Sequence, residues 1–369
     1  TKRCETACSV GRRGDPVAIR WLKRYALDSI PHERVIDIAY EGKPSFVTGR
    51  SIAIIGSGPA GMTAAYDLVK KGHTVVVYEA YSKPGGMMRY GIPEYRMPYS
   101  RIDDDIDVIL SLGVDLRCGM MVGRDITMDK LQTNFDAVLI STGLHGGRST
   151  RIPGTDHPKV FSSIELLRKI TEGEDIDVPR SVAIIGGGNV AMDIARSLAR
   201  FQQQEFNHTD VTVVALEAEG SMLADESEIR ESLEEGVTIV PSRGPRRCVI
   251  SENNLDGLES VRCTSVFDAD GRFHPMYDDD DIAFHAAEVV IEAIGQHSDV
   301  NFLGEALTEA LEWKNGRLQI DTSGRTSLEW LWAAGDLVEG PDVIHAVAGG
   351  HRAANGIHDF LMSKAKYVA

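Results

Sequence analysis

The 369-residue sequence predicts an α/β fold with two dinucleotide-binding domains of the Rossmann type behind a short helical N-terminal segment. Three observations predict it. One strand, glycine turn, helix, strand pattern lies in "SIAIIGSGPAGMTAAYDLVKKGHTVVVYEA", and a second lies in "SVAIIGGGNVAMDIARSLARF" followed by "VTVVALE". Between and after them, the apolar strands "VLISTG" and "VVIEAIG" end in small residues, as suits two crossings between a discontinuous first domain and an inserted second one.

In chain order, residues 1–45 contain the helical-looking stretch "VAIRWLKRYALDSI", and a linker near Gly42 to Gly49 leads into the first nucleotide pattern. There Gly56, Gly58 and Gly61 form GxGxxG between a buried Ile/Ala strand and an apolar-periodic helix. The first glycine permits the tight turn, the second lets backbone approach a pyrophosphate, and the third lets helix pack on strand, while the helix N-terminus offers N–H groups to phosphates. Glu79 ends the next strand, "TVVVY", where it can accept from a ribose hydroxyl. A plain glycine turn in a parallel sheet is the bland alternative. In the second pattern, Gly186, Gly188 and Ala191 give GxGxxA in the same context. Two dinucleotides in one chain are most economically a flavin and a nicotinamide, one delivering hydride and the other accepting it and releasing electrons singly. Thr142, Gly143 and Gly295 stand at the ends of the two crossing strands. Near the C-terminus, "LWAAGDLVEGPDVIHAVAGG" puts Gly335 and Asp336 after a buried strand and ahead of a small-residue helix. Asp336 can bind a ribityl hydroxyl there, and a helix N-terminus near Val343 can stabilise negative charge on a reduced flavin.

Composition bounds the function. The chain is 43% hydrophobic and 25% charged, which suits a soluble globular protein, and it contains no uninterrupted apolar run of roughly the 18 residues a membrane helix needs. Cytoplasm is the default location. The net charge of -16 argues against nucleic acid or an anionic membrane as partner. Residues 1–45 are nonetheless net positive. The first residue is Thr, which suggests processing or excision from a longer chain. Five cysteines are an odd count that favours reduced thiols or metal ligands over a disulfide framework. Cys118, Cys248 and Cys263 read as isolated thiols, the run Asp278 to Asp281 as a solvated loop, and His345 and His351 as solvated helix-end residues.

Together, the first nucleotide motif, "GGMMRYGIPEYRMP" (Gly85 to Pro98), "STG", "IPG", "GGGNVAMD", "AIGQ" and "AAGD" resemble, in this order, the flavoproteins similar to the small subunit of bacterial glutamate synthase and the N-terminal half of dihydropyrimidine dehydrogenase. The resemblance implies a two-domain flavoprotein like glutathione reductase, with FAD held by residues 46–150 and 290–369 and NAD(P)H by residues 151–289. It implies that Gly56, Gly58, Gly61, Glu79, Gly86 and Asp336 touch FAD, and that Gly186, Gly188, Asn189 and Ala191 touch the nicotinamide dinucleotide. Arg96 would lie beside the flavin, or else form a salt bridge that fixes its loop. The implied activity passes electrons from nicotinamide through FAD to an iron–sulfur or other redox partner, such as a larger catalytic subunit. "CETAC" then marks Cys4 and Cys8 as iron–sulfur ligands whose complement lies upstream or on a partner, with structural thiols as the alternative. Lys23 stands where better-known relatives use Glu or Gln as a ligand.

No catalytic nucleophile, base or metal is expected, because hydride transfer needs only donor and acceptor atoms within about 3–3.5 Å. Two rival readings are a non-catalytic flavin-binding scaffold and a disulfide reductase, and the second requires a CxxC dithiol that the chain lacks. NADPH-using relatives typically carry an Arg pair at the end of the second strand of the inserted domain. Here Leu216 and Glu217 occupy that stretch, and a carboxylate there favours the free 2′-hydroxyl of NADH over a 2′-phosphate.

Overall fold

A computed structural model describes residues 3–340 and 342–365 and divides the chain into two compact units. The first comprises residues 1–86, 99–143 and 300–369, and the second comprises residues 87–98 and 144–299.

The first unit opens with the helices α1 (Arg3–Thr6), α2 (Ile19–Asp28) and α3 (His32–Tyr40). Its sheet is built from β1 (Ser51–Ile55), β2 (Thr74–Tyr78), β3 (Asp115–Arg117), β4 (Ala137–Ile140) and β17 (Leu331–Ala333), in the order β17-β4-β1-β2-β3. Every neighbouring pair is parallel. The strands β1, β2 and β4 are near-continuous Val, Ile and Ala because both faces of the sheet are covered. The covering helices are α4 (Pro59–Lys70), α6 (Tyr99–Ser111), α7 (Met128–Asn134), α11 (Gly304–Ala310) and α12 (Val343–Ala365), with a small hairpin of β15 (Trp313–Lys314) and β16 (Arg317–Leu318). Close packing of α4 on α12 depends on glycine: a Cβ on Gly350 would collide with the backbone oxygen of Ala60.

The second unit also holds a five-stranded parallel sheet, but its edge strand comes first in the chain and not last. Its parallel sheet runs β6-β13-β7-β8-β9, from β6 (Val160–Ser162), β7 (Val182–Ile185), β8 (Val211–Val214), β9 (Thr238–Val240) and β13 (Val289–Glu292). Its helices are α5 (Met87–Tyr90), α8 (Ser163–Glu172), α9 (Asn189–Phe206) and α10 (Glu226–Glu234), and the two-residue strands β5 (Gly146–Gly147) and β14 (Gln296–His297) pair antiparallel. A feature the sequence reading missed is the antiparallel meander of β10 (Arg243–Ser251), β11 (Asn254–Phe267) and β12 (Phe273–Ala286).

Three expectations are corrected. The strand "VVIEAIG" belongs to the second unit, where β13 pairs with β6 and β7, so the change of unit falls after Asp299 and not before residue 290. The segment 87–98 also belongs to the second unit. The aspartate run lies in β12, an edge strand, where Asp281 pairs with Arg243 at 2.6 Å, and it is not a loop. Among the described residues no group of three or more His, Cys, Asp or Glu could hold a metal ion, and no helix is long and apolar enough to cross a membrane.

Candidate dinucleotide-binding sites

In the first unit, β1 runs into α4 through Gly56 at φ +99°, and a Cβ there would lie 2.6 Å from the Ser141 carbonyl oxygen. A Cβ on Gly61, one helical turn on, would collide with the Gly56 oxygen, so these two glycines are demanded by the fold itself. Gly58 differs. It is the extended N-cap of α4, and the nearest atom to its Cβ position is the Cα of Gly86, at 3.8 Å. Gly86, at φ +55°, could carry no Cβ, which would fall 2.7 Å from the Gly58 Cα. The pair therefore forms a shallow backbone cradle at a helix N-terminus, the shape a pyrophosphate requires.

Glu79 follows β2 and is buried, with its carboxylate accepting from the Ser57 amide (3.0 Å), the Ser57 hydroxyl (2.5 Å) and the Tyr81 amide (2.9 Å). These bonds fasten the acidic residue to the residue between Gly56 and Gly58. Thr142 and Gly143 follow β4, and the Thr142 hydroxyl is buried with no hydrogen-bond partner. Asp336 lies just beyond β17, after Gly335 at φ +77°. Its Oδ1 is also buried and unpartnered, and burial pushes the carboxyl above the ordinary range. A native fold rarely leaves buried polar atoms unsatisfied, so each points to a group that completes it. Val343 begins α12, and the preceding Asp342 already occupies that end: it accepts from the His345 amide (3.1 Å), sits 2.7 Å from its Nδ1, and lies 3.1 Å from the Arg3 guanidinium. His345 is thus tied to Asp342, and His351 to Asp67 at 2.6 Å, where solvation was expected.

The cysteine segment joins the first unit through that same contact, since Arg3 precedes Cys4. Cys4 and Cys8 are both free and half-buried. Backbone N–H groups of Val17, Val10 and Gly11 hold the Cys8 thiol below the usual cysteine range, an environment that favours thiolate.

In the second unit, Gly186 takes φ +140° and its Cβ would collide with the Ala293 carbonyl oxygen, while the Cβ position of Gly188 is open. Ala191 is fully buried where the third glycine would stand. Asn189 starts α9, and its Oδ1 accepts from the Asp225 amide at 2.8 Å. Glu217 lies just past β8, directly against the turn: a Cβ on Gly187 would strike its carboxylate, and its Oε2 is buried without a partner. Gly295, at φ +105°, follows β13 in this unit.

For Arg96 the sequence offers two places, beside the flavin or in a salt bridge that fixes its loop. The structure gives it the salt-bridge role within the second unit, to Asp193 of α9 and, at 3.0 Å, to Glu228 of α10. Asp193 belongs to the quoted "GGGNVAMD", yet nothing in the sequence singled it out, and Tyr95 and Glu228 were missed likewise.

The sequence profile of the family "Pyridine nucleotide-disulphide oxidoreductase" matches residues 50–350. The chain is 33% identical to the NADP(+)-dependent formate dehydrogenase subunit beta of Moorella thermoacetica over 97% of this chain and 53% of that protein. It is 32% identical to the NAD-dependent dihydropyrimidine dehydrogenase subunit PreT of Escherichia coli strain K12 over 98% of this chain and 79% of that one. It thus spans about half the length of the first relative. Among solved structures, FprA of Mycobacterium tuberculosis in complex with NADPH superposes with a TM-score of 0.72 at 17% identity, over 86% of each chain, and shares the fold.

Proposed function

The chain belongs to the pyridine nucleotide-disulphide oxidoreductase family, and we propose that it takes hydride from NADH and passes electrons through FAD to an iron–sulfur or other redox partner. The observation that carries this reading is the placement of three orphaned buried oxygens. Thr142 Oγ1 and Asp336 Oδ1 lie beyond strands of the first unit, and Glu217 Oε2 lies beyond a strand of the second. The C-terminal ends of parallel strands are where dinucleotides bind in such sheets.

In the first unit the cradle of Gly58 and Gly86 would hold the FAD pyrophosphate, Glu79 the ribose, and Asp336 the ribityl chain. In the second, Gly186, Gly188 and Asn189 would hold the nicotinamide dinucleotide. Bound flavin would supply the step from two-electron hydride chemistry to single-electron transfer. Cys4 and Cys8 fit the exit side of that traffic, because Arg3 ties their segment to Asp342, six residues past Asp336 in the first unit. The terminal acceptor belongs to a partner subunit, for which the basic segment 1–45 is the candidate docking region.

Relatives differ in the donor their names record, NADP(+) for the formate dehydrogenase subunit and NAD for PreT, so the donor must be argued from local residues. Glu217, with an unpartnered oxygen against the turn, can accept from the free 2′-hydroxyl of NADH and would repel a 2′-phosphate dianion. Stopped-flow measurement of flavin reduction should show NADH faster than NADPH by about tenfold or more, the worth of one charge-assisted hydrogen bond. Much faster reduction by NADPH would overturn the choice of donor.

A further inference from the structure

We infer that Arg96 is a positioning residue for the nicotinamide-binding turn, clamping α9 to α10 in the second unit. The inference rests on the reading of that turn as the nicotinamide site.

The Asp193 side chain is 4% exposed and that of Glu228 11%. Two carboxylates so placed repel each other and resist desolvation unless a cation sits between them. Arg96 supplies it, with one guanidinium nitrogen on Asp193 of α9 and the other 3.0 Å from Glu228 of α10. Glu228 uses its second oxygen to accept from Arg196 at 2.8 Å, and Arg196 continues to Glu231 and Glu235, each at 2.8 Å. The neighbouring Tyr95 reinforces the grip. Its ring lies under the guanidinium of Arg200 at 3.8 Å and of Arg196 at 5.0 Å, and its hydroxyl donates to the Asp193 carbonyl oxygen at 3.3 Å.

The clamp bears on the turn through one helical step. Asp193 follows Asn189 by four residues on α9, and Asn189 is bonded to Asp225, the N-cap of α10. The same two helices are therefore joined at the mouth of the dinucleotide turn and again, one turn deeper, by Arg96. Without Arg96, the Asp193 carboxylate would face Glu228 in a buried setting, with Arg196 already committed to three glutamates. Burial already pushes Asp193 up to about 6 with Arg96 present, so its loss would drive Asp193 to take up a proton or α9 and α10 to separate. Either change loosens the N-terminus of α9, to which the dinucleotide pyrophosphate would bind.

The test is equilibrium binding of NAD+ to the FAD-loaded protein by calorimetry, with NADP+ in its place if wild type prefers it. Arg96→Ala should weaken binding about tenfold, the scale of a buried pair broken beside a site, and raise the half-saturating NADH concentration for flavin reduction by the same factor. The limiting rate should change far less, and flavin content and absorbance should match wild type. Arg96→Lys, which keeps the charge but loses the fork, should fall between the two, and it carries the test if Arg96→Ala does not fold. Adding Asp193→Asn to Arg96→Ala should restore part of the affinity by removing the stranded charge. Unchanged dinucleotide binding together with a shifted flavin spectrum or potential would overturn the inference. Wild type that binds neither NAD+ nor NADP+ would instead overturn the reading of the turn.

Discussion

Gly56, Gly58 and Gly61 share one motif but not one job. Gly56 and Gly61 are required by backbone contacts within the protein, whereas the space beyond Gly58 is bounded by nothing nearer than Gly86. Gly58→Leu should therefore fold, losing about 1 kcal/mol of N-cap preference, and come off the column colourless because its side chain fills the pyrophosphate cradle. Gly61→Leu should not fold. Full flavin content in a folded Gly58→Leu protein would refute the site. The glycines were legible in sequence because the turn at Gly56 and its close approach to Gly61 are local, whereas the Ser141 and Gly86 neighbours of Gly56 and Gly58 were not. Glu79 was legible by its position at a strand end, although its bonds to Ser57 and Tyr81 were not. The Arg96 pairing was illegible: its partner Asp193 lies 97 residues away, and a quoted motif does not announce which distant side chain answers it.

Among elements, the parallel strands were readable as continuous apolar runs, while the meander β10–β12 was not. Register shifts at Pro245/Arg247, Val249/Ile250 and Val261/Arg262 break the alternation that marks antiparallel strands, and four aspartates on an edge strand imitate a loop. The seam of α4 and α12 holds a further pair that the sequence hid. His73, buried just after α4, has its Nδ1 2.8 Å from the Thr48 hydroxyl and its Nε2 2.9 Å from Nδ1 of His358 on α12. Burial, and then the nearby His358 and Lys71, push His73 down to about 4. An unfolded histidine takes up its proton near 6.5, so between about 6.5 and 4 the unfolded chain binds more protons and stability falls as pH falls. The first unit should lose roughly 2–3 kcal/mol across that window. His73→Gln should be less stable at neutral pH and should remove most of this slope from thermal midpoints measured against pH. Parallel curves for the two proteins would contradict the assignment.

For the whole molecule, each unit is built on a five-stranded parallel sheet, and under the proposed function the two are successive stations for electrons. The cysteine segment is the third. Its thiolate-favouring Cys8 and its tie through Arg3 to Asp342 lead to the expectation that the 369-residue chain alone holds FAD but no complete cluster, and that the native complex holds one using Cys4 or Cys8. Iron and sulfide analysis with electron paramagnetic resonance of the reduced protein checks both halves. A stoichiometric cluster in the isolated chain would contradict the first half; an unchanged signal after converting both cysteines to Ser in the complex would contradict the second and leave them as structural thiols.

The most direct measurement is an anaerobic titration of the purified, flavin-loaded chain with NADH, followed by flavin absorbance. Complete bleaching is expected at about one equivalent of NADH, since one hydride reduces one FAD. A flavin that stays oxidised with NADH and with NADPH alike would contradict it, and would make the protein a flavin-binding scaffold.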